Sequence, residues 1–580
     1  MCGIAGLSLA SGAAVDAGLL TRLAAALAHR GPDGSGCFVT GEVALVHTRL
    51  AIIDLATGDQ PISNGPLTLI ANGEIYNYKV LKETLPGPFA TMSDCEPPLK
   101  LFARASADYT KFLRGMYAIA LHDGAFHTLT LSRDLFGIKP LYIAQTAQGL
   151  AFASEPQVLL DSGLVARGVD AQKLHELLNL QFTTGAQSIF SGIQRVTPGE
   201  TLTVRRGKII RRARLPFPTP ASPPTSEANA LARLDAVLQE TVDLHQRSDV
   251  PYGMFLSGGI DSSAILAMMA RLNATPVLAY TAGFDEPGIA DEREAAAITA
   301  KAVGARHERI EIGQKMVWEH LPEIVAAMDD PVADYAIIPS WFLARRARQD
   351  VKVILSGEGG DEMFAGYGRY RAAARLLGRK KMRAKGVFDG LELLRNNSPT
   401  WRDGIAAAEI AHKSPSRLQT VRHVDIADWL PHDLLLKLDR CLMAHGIEGR
   451  TPFIDPEIAA FAFSLPDKML VRRGLGKYLL RLWLEKNLPT ARPFAKKQGF
   501  DVPVGAWIAA QSKPLGELLA RQPVIAELAQ PDKVQALLAR AGEKRFGFAA
   551  WVLLFTALWH RRHVLNLPPA GDVFTTLRDI

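Results

Sequence analysis

The sequence predicts two units of different class in one chain. The first is an α+β unit of stacked antiparallel sheets with helices; the second is an α/β unit with a parallel sheet, ending in a mostly helical C-terminal part. Three observations carry this. Residues up to 215 hold short apolar segments broken by glycine and turn residues. LPFPTPASPPTS (Leu215 to Ser226) then places five prolines in twelve residues, the composition of a linker. Beyond it, helical and strand patterns alternate, which implies parallel strands covered on both faces. The division expected is 1–215, a proline-rich linker over 216–228, and 229–580.

In the first unit the strand candidates run in order IAGLSLA, EVALVHTRLAII, LTLIANG, YAIALHD, AFHTLTLSRD, LYIAQT, GLAFAS and ETLTVRRGKII. The second opens on an amphipathic helix, SEANALARLDAVLQETVDLHQ, followed by strands YGMFL, VLAYTAGF, RHERIEI and VKVILS. Helical stretches such as AILAMMARL, EREAAAITAKAV and SWFLARRARQ lie between them. No internal repeat is found.

Composition bounds the function. The chain has 580 residues, 48% hydrophobic and 22% charged, with 66 basic against 59 acidic side chains and a net charge of +7. It reads as an ordinary globular protein of more than one core. Three basic clusters, RRGKIIRRAR (Arg205 to Arg214), GRKKMRAK (Gly378 to Lys385) and HRRH (His560 to His563), lack interleaved aromatics. They read as solvated faces rather than a nucleic-acid surface. Cys2, Cys37, Cys95 and Cys441 form no CxxC pair, which argues against a zinc site or a disulfide framework and fits a reducing, cytoplasmic setting. No signal peptide is read at the N-terminus. The apolar run FAAWVLLFTALW (Phe548 to Trp559) is twelve residues, short of the ~20 that span a bilayer, and is expected to be a buried helix.

Two chemical signals stand out. Cys2 follows the initiator methionine, so removal of Met1 places an amine on the same residue as the thiol, able to take its proton. FLSGGIDSS (Phe255 to Ser263) lies between a strand and a helix, where backbone N–H groups and the helix dipole favour an anion such as phosphate. It lacks the Lys-Ser/Thr ending of a Walker loop. Asp261 inside it makes sense beside phosphate chiefly when a magnesium ion joins them. SGEGGDE (Ser356 to Glu362) repeats the construction after VKVIL, so the two loops are expected to face one crevice.

SGGIDSS resembles the pyrophosphate loop of ATP pyrophosphatases. Together with SGEGGDE, DRCLMAHGIEGRTPFID (Asp439 to Asp455), the lysine of GKYLLR (Gly476 to Arg481) and KKQGFDVPVGAW (Lys496 to Trp507), it resembles the synthetase domain of glutamine-hydrolysing asparagine synthetases of the B type. The N-terminal half carries the matching pieces of a class II glutamine amidotransferase domain with the N-terminal-nucleophile hydrolase fold: MCGIAG, HRGPDGSG, HTRLAIID, NGEIYN, SDCE and RDLFGIKPLY. The resemblance extends from the first residues to about residue 510.

It implies asparagine synthesis from aspartate, glutamine and ATP through a β-aspartyl-AMP intermediate, with AMP, pyrophosphate and glutamate as products. Cys2 is the implied nucleophile. The Asn72 amide and Gly73 N–H form the implied oxyanion hole, Arg49 holds the glutamine carboxylate, and Asp94 holds its ammonium with Glu74 close by. Ile52 and Ile53 line that pocket, and Met116 lines a tunnel for ammonia. Leu256, Ser257, Gly258, Gly259, Asp261, Ser262, Ala282, Ser356 and Gly357 are implied at ATP, Asp261 and Asp361 at Mg2+, Glu358 at adenylation and Lys477 at the phosphates. Cys37 and Cys95 match no nucleophile position and are expected in the core or a pocket wall.

Partners expected are small molecules, with neither nucleic acid nor membrane; homodimer formation stays open. So do a different carboxylate acceptor and, from another class, a non-catalytic nucleotide-binding regulator. Acceptor-binding residues and the role of the last ~70 residues are not assigned.

Overall fold

The computed structural model describes residues 2–284, 286, 292–375, 381–396, 398–495 and 502–579. Twelve strands build the first half: β1 (Gly3–Leu9), β2 (Gly34–Val39), β3 (Val43–Arg49), β4 (Ile62–Asn64), β5 (Leu67–Ile75), β6 (Gly115–Asp123), β7 (Thr128–Arg133), β8 (Tyr142–Thr146), β9 (Gly149–Ala153), β10 (Ile193–Arg195), β11 (Glu200–Arg205) and β12 (Lys208–Arg214). They form two six-stranded antiparallel sheets, ordered β10-β8-β9-β1-β3-β2 and β12-β11-β7-β6-β5-β4.

The two-residue period of a strand decides which side chains enter the interior. From β1, Ile4 joins Leu45, Ile70, Ala120, Leu131 and Phe152 between the sheets. Ala5, Leu7 and Leu9 point the other way, onto Leu19, Leu23 and Leu27 of the helix Ala17–Leu27. The second sheet does the same with Leu69, Ala71, Ile119 and Leu121 against the helix Pro97–Ala105. Helices therefore cover both outer faces of a stacked pair of sheets.

ETLTVRRGKII, expected as one strand, is a hairpin of β11 and β12 that turns at Arg206 and Gly207, both at positive φ. GSGCFV, not read as a strand, is the edge strand β2, and Cys37 on it is exposed. That corrects the placing of Cys37 in a core or pocket wall: the alternation of the strand turns Phe38 onto the core between the sheets and leaves Cys37 on the opposite, exposed face.

The second half holds a parallel sheet of β13 (Tyr252–Phe255), β14 (Leu278–Phe284), β15 (Arg306–Ile312), β16 (Val353–Leu355) and β17 (Glu448–Arg450), in the order β15-β14-β13-β16-β17. β17, only three residues long and polar, gave no strand signal. The expected helices occur as Glu227–His245, Ile260–Leu272, Glu292–Ala302 and Ile337–Ala347. Ser226 caps the first by accepting from Asn229 N–H.

The apolar run lies in the helix Lys544–His563, where Trp551 and Trp559 are buried and donate to the carbonyls of Ala333 and Asp329 at 2.7 and 3.1 Å. Among the described residues no helix is long and apolar enough to cross a membrane. HRRH is not a solvated face throughout: Arg561 and His563 are buried, and His563 Nδ1 lies 2.8 Å from Gln157 Oε1 of the first half. RRGKIIRRAR does stand largely in solvent on β12.

Leu215 to Ser226 contain no helix or strand, yet they are fastened. The Phe217 ring packs edge-on against Phe463 at 4.8 Å, and Ala221 N–H donates to Ala460 O at 3.0 Å. Buried ion pairs also cross between the halves. Arg195 on β10 donates twice to Asp330 at 2.7 Å, and Asp330 also accepts from Tyr142 Oη at 2.8 Å.

Removing one member of such a pair leaves a buried charge uncompensated, at a cost of about 3–5 kcal/mol. Asp330→Asn should lower the thermal unfolding midpoint accordingly, read by calorimetry. Arg195→Met combined with Asp330→Leu should recover part of that loss, because no charge then remains to be solvated.

Candidate active sites

The first site forms where β1 begins and β5 ends. Cys2 is buried; its backbone N–H donates to Asn72 Oδ1 at 3.2 Å, and its sulfur lies 4.0 Å from Leu50 O. The Asn72 Nδ2 donor is buried with no partner. An amide donor held beside a thiol with nothing to donate to suits an oxyanion that appears only during reaction. Gly73 must be glycine: a Cβ there would lie 2.2 Å from Met116 O. Met116 itself is fully buried opposite Glu74 in the β5–β6 register.

Burial chiefly pushes the Cys2 thiol above its ordinary pKa, so attack needs a base. Burial likewise raises Asp94 to about 6, against a hydrogen bond from Ile75 N–H at 2.8 Å. Glu74 is driven well up by burial and then by Asp94, while Arg450 opposes both. Two close carboxyls with raised pKa in one pocket suit an incoming cation. Cys95 lies in that wall, its sulfur 3.6 Å from Asp94 Oδ2. Arg49 donates to Asp59 at 2.7 Å and to Asp54 O at 2.5 Å, and Ile52 and Ile53 are buried beside it.

The second site forms at the carboxyl ends of the neighbouring strands β13 and β16. The Ser262 hydroxyl is 3.0 Å from the Ser257 hydroxyl and folds the loop over the start of the helix Ile260–Leu272. Gly258 and Gly259 complete the loop; a Cβ at Gly258 would meet Ala295 Cβ at 3.0 Å. Leu256 and Ala282 are buried where this loop leaves the sheet, and Leu256 N–H donates to Tyr280 O at 2.8 Å.

The second loop packs directly against the first: a Cβ at Gly357 would lie 3.0 Å from Ser262 N and 3.1 Å from Asp261 Cβ. Ser356 Oγ accepts from Glu358 N–H at 3.3 Å. Lys477 bridges the two loops, paired with Asp361 at 2.8 Å and with Asp261. Those two carboxylates push its ammonium well up against the effect of burial. Glu358 is raised by burial, and Lys477 has positive φ at the head of the helix Tyr478–Asn487.

Two carboxylates converging on one cation, beside a phosphate-type loop, form a donor set that fits a hard divalent ion shared with phosphate oxygens. Among the described residues no group of three or more His, Cys, Asp or Glu could hold a metal, so such an ion would depend on a ligand for the rest of its shell. The residues of KKQGFDVPVGAW before Val502 lie outside the described residues, as does Met1.

Several residues inside the quoted motifs were not singled out from sequence. Arg30, of HRGPDGSG, is fully buried and donates to Cys2 O at 3.2 Å, to Glu155 at 2.6 Å and to both oxygens of Asp439 at 2.8 and 3.1 Å. Arg450 on β17 joins Glu74 at 3.0 Å to Glu448 at 2.6 Å. Glu362 is fully buried with neither carboxylate oxygen hydrogen-bonded, and burial raises it to about 8. Their motif positions were visible, but the pairing of Arg30 with Asp439 and of Arg450 with Glu74, hundreds of residues apart, and the burial of Glu362 were not.

Gly366 also escaped notice. A Cβ there would fall 1.7 Å from Asp361 Oδ1 and 2.2 Å from Lys477 Cε. Gly366→Ala should therefore displace the Lys477–Asp361 pair and lower the expected ATP-dependent reaction by about 100-fold or more, the scale of one misplaced charge-stabilising group. Glutaminase turnover, measured on the same preparation, should stay within about twofold.

Comparison with known proteins agrees with this geometry. The family model described as asparagine synthase matches residues 233–561, and that described as glutamine amidotransferase domain matches residues 1–214. A Mycobacterium tuberculosis protein that bears the provisional name of glutamine-hydrolysing asparagine synthetase is 34% identical, covering 94% of this chain and 93% of its own. Glutamine-hydrolysing asparagine synthetase 1 of Bacillus subtilis is 32% identical, covering 93% of each chain. Amidase chry2 of Gibberella zeae is 25% identical over 90% of this chain and 88% of its own. With a buried cysteine site in the matched amidotransferase half and paired acidic loops in the matched synthase half, the chain belongs to the glutamine-hydrolysing asparagine synthetase family and is an amide ligase that draws its nitrogen from glutamine.

Proposed function

We propose that this chain makes asparagine from aspartate, glutamine and ATP by way of β-aspartyl-AMP, working in the cytoplasm and dividing the chemistry between residues 1–215 and 229–580. The observation that carries the reading is the unpartnered Asn72 amide beside buried Cys2, in the same chain as the Asp261–Lys477–Asp361 cluster. The amine exposed on loss of Met1 takes the thiol proton. The thiolate then attacks the side-chain amide of glutamine, and Asn72 Nδ2 with Gly73 N–H receives the developing oxyanion; its collapse breaks the C–N bond as the terminal amine returns the proton to the departing ammonia, and water then hydrolyses the thioester to glutamate and frees Cys2.

Arg49 exchanges Asp59 for the glutamine carboxylate, a like-for-like swap of ion pairs. Asp94 and Glu74 take the ammonium, and Ile52 and Ile53 pack its methylenes. Ammonia passes Met116 to the second site without entering bulk water. There the two loops hold ATP, through Ser257, Gly258, Gly259, Ser262, Ser356 and Gly357 at the phosphates and Leu256 and Ala282 near adenosine. Asp261 and Asp361 would hold Mg2+, which supplies charge neutralisation to the pyrophosphate leaving group. The aspartate side-chain carboxylate attacks the α-phosphorus and pyrophosphate leaves, Lys477 following the phosphates rather than the carboxylates; Glu358 sits at the acyl group and accepts a proton from ammonia as it attacks the acyl carbon and AMP departs.

A second reading, the same chemistry on another carboxylate, is favoured by the likeness to a relative named an amidase. Offering a panel of carboxylates with ATP and ammonium and following AMP by mass spectrometry separates the two. AMP formed with aspartate supports the first; AMP formed only with another acid replaces it.

Cys2→Ala should abolish glutamine-dependent synthesis and leave ammonium-dependent synthesis near its original rate. Retention of glutamine use by that variant would remove the amidotransferase role from Cys2. The pH dependence follows from Asp94. Its raised pKa, about 6, means that it becomes neutral as pH falls through that value and stops attracting the ammonium. The glutamine KM should therefore rise below pH ~6, and Asp94→Asn should both raise KM and flatten that dependence.

A further inference from the structure

GRKKMRAK was expected as a solvated face, and its one arginine beyond the undescribed residues behaves otherwise. The Arg383 side chain is 19% exposed and lies over the Trp429 ring at 4.8 Å and the Phe182 ring at 5.3 Å. Its nearest carboxylate, Asp425, is 3.9 Å away, too far to bond, and its Nε and Nη2 are buried without a hydrogen-bond partner. A guanidinium is normally brought under cover with its donors paired.

The neighbours share this property. Arg369 is sandwiched between Tyr367 and Trp429, 4.1 Å from each ring; its Nε is held by Asp425 at 2.6 Å, and its Nη2 is unpartnered. Trp429 donates its indole N–H to Asp433 Oδ2 at 2.5 Å, and Asp433, 4% exposed, keeps its other oxygen unpartnered. Asp425, Trp429 and Asp433 come from one ten-residue π-helical stretch, Asp425–Leu434. Such a winding costs helix stability and recurs where a site needs side chains aligned that an α-helix would spread apart.

This cluster adjoins the adenylation site. Lys437, paired with Asp334 at 2.7 Å, lies within the fields of both Glu358 and Asp433, and Arg369 lies within that of Glu362, four residues from Glu358 on the second loop. Trp429, Tyr367, Arg369 and Glu358 are each half-buried, so each keeps part of its surface exposed.

We propose that Arg369, Arg383 and Asp433 form the recognition end of the acceptor pocket, specific for a small amino acid with two carboxylates. The free N–H groups of Arg383 and Arg369 take the carboxylate that is not activated, and the free oxygen of Asp433 takes the ammonium. The second carboxylate is left to face Glu358. This rests on the acyl-adenylate reading given above and names the residues that choose its acceptor.

The test measures acceptor-dependent AMP release with ammonium as nitrogen source, comparing aspartate with aspartate α-amide, which keeps the β-carboxylate and loses the other charge. The wild type should prefer aspartate by roughly 10- to 100-fold, the worth of a charge-assisted bidentate contact. Arg383→Ala should raise the aspartate KM by a similar factor and bring the two acceptors within about threefold. Arg383→Lys, which keeps the charge and loses the fork, should fall between. Glutaminase turnover and ATP KM report whether each variant is folded; if Arg383→Ala is not, Arg383→Lys and Asp433→Asn carry the comparison. An unchanged acceptor preference in folded variants overturns the proposal. Should wild type release AMP with other acids but not aspartate, the parent reading fails on its own. The pocket then stands if the acid used has a second carboxylate and Arg383→Lys raises its KM, and falls if it has none.

Discussion

Arg30 is the contact on which the joining of the two sites depends. One fully buried guanidinium holds the main-chain carbonyl of Cys2, the carboxylate of Glu155 and both oxygens of Asp439. The first two belong to the amidotransferase half and the third to the synthase half. Burying such a charge is expensive, and only full use of its donors offsets the desolvation. Here the geometry that satisfies Arg30 also fixes where Cys2 sits relative to the helix carrying Asp439, Leu435–Met443. Arg440 extends the network to Asp329 at 2.6 Å, whose other oxygen accepts from Gln157 N–H at 3.1 Å. The halves are therefore joined by interlocking carboxylates and guanidiniums: separating them would strip Arg30 of both Asp439 oxygens, leaving it Glu155 and the Cys2 carbonyl, and would take the Gln157 N–H from Asp329.

Arg450 is a second such joint, closer to the chemistry. It reaches from the edge of the parallel sheet to Glu74 beside Asp94, while its other donors go to Glu448 and to the carbonyls of His245 and Arg247. One oxygen of Glu74 is thus committed across the seam and the other has no partner. A carboxyl in that state is tuned by the far half: the Arg450 charge lowers what burial and Asp94 raise. The electrostatics of the Glu74–Asp94 pocket proposed for glutamine consequently include a residue of the synthase half, which gives a physical basis for the two activities sharing one chain.

How far this was legible in sequence follows the range of each interaction. Short apolar segments bounded by glycine and turn residues, such as IAGLSLA, and glycine loops between strand and helix are local signals, and the sandwich, the parallel sheet and both nucleotide-type loops were readable from them. β2 and β17 were not, since an exposed edge and a three-residue polar strand have no apolar alternation to show. The site residues divide in the same way. Cys2, Asn72, Asp261 and Lys477 lie in motifs, whereas the pairing of Arg30 with Asp439 spans 409 positions. Arg383 was misread for a related reason: a run of basic residues looks solvated until the fold supplies Trp429 and Phe182 to cover one of them.

The resting ion pairs at the two sites share a design with a consequence for substrate selection. Arg49 holds Asp59, whose side chain is 83% exposed, and Lys477 holds Asp261 and Asp361. In the proposed reaction each cation exchanges these partners for a group of the substrate, a carboxylate at Arg49 and phosphates at Lys477. An exchange of one anion for another gains little Coulomb energy, because the cation is paired before and after. The exposed Asp59 is released to water at small cost, whereas Asp261 and Asp361 stay recessed and must find another cation. Glutamine entry at Arg49 is then electrostatically nearly neutral and falls to the shape of the Ile52 and Ile53 wall and the Asp94 carboxylate. On the same proposed reading, phosphate entry at Lys477 is favourable only when a cation comes with it, and the second site would then select a metal-bound nucleotide over the bare one.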